Sequence, residues 1–69
     1  MALLQRIMKP QLGERIEVYK QGRLLIRGLV TIADDNLISI TSKDMDTLNF
    51  HPNELDVAIS SREIVIKKL

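Results

Sequence analysis

The chain has no cysteine and no tryptophan, and its aromatic content is one tyrosine and one phenylalanine among 69 residues. Without thiols it can form neither a disulfide framework nor a thiolate metal site, so a domain this small needs another source of stability. Self-association is the expected one. The lack of cysteine also suits a reducing compartment. With so few rings, only Tyr19 and Phe50 could stack on a nucleic-acid base. Charge of one sign is missing too: ten basic against nine acidic residues leave a formal +1, far from the strongly basic balance of a bulk polyanion binder. Any such binding must come from local placement.

Long hydrophobic runs are also absent. The N-terminal stretch MALLQRIMKP opens apolar but carries Arg6 and Lys9, and it has neither the length of a membrane span nor a signal-peptide cleavage pattern. The expectation is a cytoplasmic protein with no membrane partner. His51 is the single histidine, and the glycines at 13, 22 and 28 match neither the Walker nor the dinucleotide spacing. A lone histidine with no cysteine and no nucleophile elbow argues against a zinc site and against covalent catalysis. No catalytic residue, metal or cofactor is therefore expected, and the chain is read as a non-enzyme.

What is present is patterned. Leu3, Leu4, Ile7 and Met8 recur at helical spacing until Pro10, which predicts a short amphipathic helix over residues 2–9. Beyond Gly13, Ile16 and Val18 alternate with Glu17 and Tyr19, the period of a strand over 15–20. Gln21-Gly22 marks a tight turn. Leu24-Leu25-Ile26 resumes extended structure, interrupted at Gly28 in the way that signals a bend, a bulge or a close backbone approach. Asp34-Asp35-Asn36 is the next turn, followed by a strand over Leu37–Thr41. Thr47–Phe50 reads as a fourth strand, and Pro52 breaks the chain after it. Val57-Ala58-Ile59 and Ile64-Val65-Ile66 read as further strands joined by the four-residue connection SSRE. The fold class expected is mainly β: one domain over residues 1–69, with the helix followed by a strongly bent antiparallel barrel of five or six short strands over 14–69.

Two basic groupings stand out, Lys20 with Arg23 and Arg27, and Lys67-Lys68 with Arg62 nearby. Such groups protect sheet edges or face solvent more often than they bind phosphate. Asp34, Asp35, Asp44 and Asp46 fall in predicted loops, which a polyanion would avoid. Phe50 is read first as a core side chain.

The order of elements resembles the Sm-like family, in particular its Hfq branch. The residues that carry the resemblance are IEVYKQG, then Arg27-Gly28 with Asp34 six residues on, and the apolar Leu29-Val30 and Leu37-Ile38. The spacing from Gly22 to Gly28 is one residue longer than the family pattern. His51 falls where the family's Tyr-Lys-His pattern has its histidine, preceded here by Asn49 and Phe50. Asp35 and Asn36 stand where a glutamine and an aromatic residue hold a base in Hfq proteins. The resemblance implies a homo-oligomeric ring binding single-stranded RNA, with Asn36, Phe50 and His51 at base or ribose and Arg23 or Arg27 at phosphate. The competing reading is an assembly or regulatory module, of a phage or sporulation type, that docks on a protein partner through ALLQRIM or the strand EIVIKKL.

Overall fold

The computed structural model describes residues 9–69. Five strands and one helix follow in the order β1 (Arg15–Lys20), β2 (Arg23–Ala33), β3 (Ile38–Thr41), β4 (Thr47–Phe50), α1 (Pro52–Ser60) and β5 (Ile64–Lys68). The strands form one antiparallel sheet in the order β4-β3-β2-β1-β5. The helix expected over residues 2–9 lies outside the described residues except for Lys9, which is not helical.

Each hairpin follows from its turn residues. Gln21 and Gly22 both take positive φ, 51° and 83°, the left-handed pair whose twist matches the flanking strands β1 and β2. Between β2 and β3, Asp34 Oδ1 accepts from the backbone N–H groups of Asn36 and Leu37 at 2.8 and 2.9 Å, so the acid builds the turn itself. In the loop Ser42–Asp46, Ser42 Oγ accepts from the N–H groups of Asp44 and Asp46. Met45 there holds a φ of 72°, an unusual position for a residue with a long side chain.

β2 is 11 residues long and organises the sheet. It pairs with β1 from Arg23 to Leu29 and with β3 from Leu29 to Ala33. The strand passes through Gly28 without ending. A Cβ at Gly28 would lie well inside van der Waals contact of the Thr41 carbonyl, so glycine here serves a close backbone approach. Bulges opposite Tyr19 and at Thr31 add local bends, as extra residues on one strand do.

One face of the sheet carries Ile16, Val18, Ile26, Val30, Ile38, Ile40, Ile64 and Ile66, all buried, with Leu55 of α1 set against them. Eight of these nine are β-branched, the type that suits a pleated, half-covered surface. Full burial of Leu55 contributes about 2 kcal/mol by apolar area. Ala33, Leu48, Phe50, Ala58 and Ile59 ring this core half-buried, which places Phe50 where its size suggested.

Two expectations are corrected. The strand expected over Val57–Ile59 is part of α1. Leu55, Ala58 and Ile59 recur at helical spacing and meet the core while Val57 is exposed, and Pro52 sits at the first helical turn, where its missing N–H costs nothing. SSRE is accordingly a helix-to-strand turn, with Arg62 at φ 66°. The sheet is also not closed into a barrel. Among the described residues β4 and β5 are separate edges, and α1 spans from one to the other across the core face. A helix in place of a strand leaves no element to pair the edges. Within the tail from Arg62 to Leu69, β5 (Ile64–Lys68) is an edge strand paired with β1 of the same chain.

Gly28→Ala is expected to lower stability by about 2 kcal/mol, since an added methyl must push β2 and β3 apart. Gly22→Asn, at a left-handed position with open space around it, is expected to cost well under ~1 kcal/mol. Urea unfolding of the two variants checks this, and equal losses would contradict it.

Candidate functional site

The face of the sheet turned away from α1 is ordered in rows set by the strand register. One row holds Lys67 of β5, Glu17 of β1 and Arg27 of β2. The next holds Leu69, Arg15, Leu29, Thr41 and Thr47, with the Leu69 N–H donating to the Arg15 carbonyl at 2.9 Å. On the other side of the charged row, Val65 pairs with Tyr19, and the bulge sets Leu24 and Leu25 opposite that same tyrosine. Thr31, Ser39 and Asn49 continue the face over β3 and β4, joined by hydroxyl hydrogen bonds.

Glu17 is the centre of this surface. Its side chain is only 10% exposed, and Arg27 binds it through Nε at 2.7 Å and through a second guanidinium nitrogen at 2.6 Å. The Tyr19 hydroxyl donates to the other carboxylate oxygen at 3.0 Å, and the Lys67 ammonium lies 5.3 Å from the Tyr19 ring centre. A buried carboxylate requires such partners, since an unpaired one would be costly. The guanidinium first, and then the tyrosine hydroxyl, hold the Glu17 carboxyl below the usual carboxylate range. The same hydrogen bond holds the Tyr19 phenol above its ordinary value. Around this polar centre Leu24, Leu25, Leu29, Val65 and Leu69 are all more than two-fifths exposed. With Arg15, Arg27, Lys43, Asp44 and Asp46, the four leucines border an open groove of about 950 Å³ along β2.

The residues expected to contact RNA fall into two groups. Asn36, in the β2–β3 turn, and Phe50-His51, at the end of β4, share one end of the sheet, because Ile38 pairs with Phe50. Arg23 begins β2, whose 11 residues put roughly 30 Å of strand between it and Asn36. Arg27 lies on the outer face, bound to Glu17. His51 caps α1, its Nδ1 accepting from the Asn53 N–H at 3.3 Å. Of the other basic residues, Lys20 pairs with Glu63 at 3.7 Å and Lys68 with Glu14 at 3.0 Å. Lys68, ahead of the Gln11 N–H, holds the Glu14 carboxyl below its usual range.

Among the described residues no three histidine or acidic side chains converge as metal ligands, and no helix is long and apolar enough to cross a membrane. A comparison with protein-family models finds no match, and none is found among curated proteins or solved structures.

Sequence reasoning missed the outer-face leucines as a surface feature. Leu24-Leu25 and Leu29 read there only as strand interior. The available signal was that the run through β2 is apolar on both alternating positions, which for a sheet with one covered face leaves apolar groups outside.

The folded state favours ionised Glu17 relative to the unfolded chain, whose carboxyl has its ordinary value of 4.5. The stability it contributes is therefore present above about pH 4.5 and is lost as pH falls through its lower folded value. Melting temperature should drop between pH 5 and pH 3. Glu17→Gln should melt lower than the parent at pH 6 and show a shallower acid dependence. An unchanged acid slope would remove Glu17 from this role.

Proposed function

We propose that the chain is a non-enzymatic assembly module that acts by pairing its open sheet edges with other chains, in the first instance copies of itself. The observation that carries this reading is the chemistry of the two edges. Leu69 donates to Arg15 and Gln21 donates to Glu63. By the alternation of an antiparallel ladder, the N–H groups of Ile64, Ile66 and Lys68 then point away from β1. On the other side the Ser42 N–H donates to Asp46, so Thr47 and Asn49 present their backbone groups outward. Unpaired rows of this kind template pairing with another chain.

The flanking charges select a direction. Asp44 and Asp46 precede β4, while Lys67 and Lys68 end β5. An antiparallel β4–β5 contact between copies brings these acids to these bases, whereas a parallel one brings Asp46 toward Glu63. Two different edges meeting head to tail give a closed ring or an open filament. Thr47→Pro removes one outward N–H without touching the ladder to β3, as proline on an edge strand does. We expect light scattering to report a smaller assembly for this variant with an unchanged far-UV spectrum. An assembly of unaltered mass would overturn the edge reading.

A second reading, an RNA-binding ring of the Sm-like kind, is supported by the common location of Asn36, Phe50 and His51. Many copies of a weak site around a ring bind by avidity and need little net charge per chain. Against it, Asp34 and Asp35 occupy the same turn as Asn36. Titration with oligo-uridine and oligo-adenine should then give micromolar binding that weakens steeply with salt and is lost in His51→Ala. No binding, or binding indifferent to salt, would leave the assembly reading alone.

A further inference from the structure

The β5 edge carries a match of its own. We propose that β5 pairs antiparallel with β5 of a second copy about a twofold axis at Val65, joining two five-stranded sheets edge to edge. This rests on the preceding reading only in taking β5 as an open edge; it adds a partner strand, a register and a symmetry.

The ladder sets the geometry. The N–H and carbonyl groups of Ile64 and Ile66 point away from β1, and their side chains are buried on the core face. Residues that exchange hydrogen bonds across an antiparallel ladder stand directly opposite and share one face. Two β5 edges therefore meet with their core faces on the same side, and the buried row of one copy runs on into that of the next. A β4–β5 contact differs. Leu48 and Phe50 pack against the core, so by alternation the outward residues of β4, Thr47 and Asn49, lie on the outer face. An antiparallel β4–β5 ladder thus turns the sheet over at each junction.

Charge selects the register. With the axis at Val65, Ile64 exchanges hydrogen bonds with Ile66 of the second copy. On the outer face Val65 then lies opposite its own counterpart, and Glu63 opposite Lys67, twice by symmetry. Opposite charges and β-branched pairs are favourable across strands, and like charges are not. An axis at Ile64 sets Val65 against Glu63, and one at Ile66 sets it against Lys67. An axis at Lys67 brings two ammonium groups together. Only the axis at Val65 gives Glu63 and Lys67 to each other. Both are available: Glu63 meets Lys20 at 3.7 Å with each side chain about half exposed, and Lys67 forms no ion pair within the described residues. Lys68, which comes level with Arg62 of the second copy, is already held by Glu14 at 3.0 Å.

An isologous contact of this kind requires a strand that matches itself. A pair so joined presents β4 at both ends. Further copies can add there through their own β5, but the two ends cannot meet head to tail, so the particle stays open instead of closing into a ring.

The chain has no cysteine, so Val65→Cys introduces a single thiol. At a pair without mutual hydrogen bonds the two Cα atoms stand about 4.5 Å apart, within the span of a disulfide. Leu24→Cys is the control. Leu24 lies in the same outer-face row and is equally exposed, 47% in both cases, but it sits on β2, two strands in from the edge. Under mild oxidation at micromolar protein, Val65→Cys should give a cross-linked dimer at least about ten-fold faster than Leu24→Cys, because the contact raises the local thiol concentration. Equal rates refute the twofold contact. Adding Lys67→Glu to Val65→Cys should slow the cross-link, and adding Glu63→Lys as well should restore it; a rate indifferent to both changes rejects the register. Should the charge variants fail to fold, the first comparison decides alone. Thr47→Pro separates the two readings, since it acts on β4 and leaves the Val65→Cys cross-link intact. An assembly that shrinks in Thr47→Pro but cross-links no faster at position 65 than at 24 upholds head-to-tail pairing and refutes the β5 pair.

Discussion

The contact of the Thr41 carbonyl with the bare Cα of Gly28 is the constraint around which the rest of the sheet is arranged. It lets β2 leave β1 and engage β3 while remaining one strand, so a single 11-residue segment belongs to both halves of the sheet. The two bulges on β2 lie on either side of this point and share the change of direction. Everything placed by β2 follows from it, including the core positions Ile26 and Val30 on one face and Leu24, Leu25, Arg27 and Leu29 on the other.

The two faces then diverge in chemistry. The inner one is closed by α1, whose short length is enough to bury Leu55 but leaves Phe50, Leu48 and Ile59 only half covered. The outer one is held by a charged centre, Glu17 with Arg27 and Tyr19, that ties β1 to β2 through side chains as well as backbone. An exposed Arg–carboxylate pair contributes little to stability, but Glu17 is almost wholly covered, and its ionised form depends on those partners. The leucines around it, Leu24, Leu25 and Leu29, are each a little over two-fifths exposed among the described residues. Apolar side chains left in solvent carry a cost that the charged centre beside them does not offset.

The proposed assembly would address the same shortage that the composition announces. A chain of this length without cysteine has a small core, and among the described residues β4 and β5 are the edges of the sheet and its outer face carries exposed leucines. Pairing at β4 or β5 extends the sheet sideways and leaves that face as it stands.

Much of the sheet was legible in the sequence for local reasons. The period of two in Ile16-Glu17-Val18-Tyr19, the left-handed Gln21-Gly22 turn and the Asp34 turn each act within a few residues, and the strands from β1 to β4 follow from them. Gly28 was recognisable as a point of bend or close approach, but its partner, Thr41, was not, because that contact is made across the sheet. Val57-Ala58-Ile59 misled for the opposite reason. A three-residue apolar run has no period of its own, and burial of Leu55, Ala58 and Ile59 against the sheet decides for a helix. His51, singled out by its position in the pattern, is placed by the fold as the N-cap of the helix that follows, a role that depends on α1, which the sequence reading did not expect. By itself the sequence determined the turns and the strand faces, because these rest on backbone preference and on a period acting within a few residues. Which leucines remain outside, that Arg27 belongs to Glu17 and that the sheet stays open were decided only by tertiary structure, since each depends on residues brought together from distant parts of the chain.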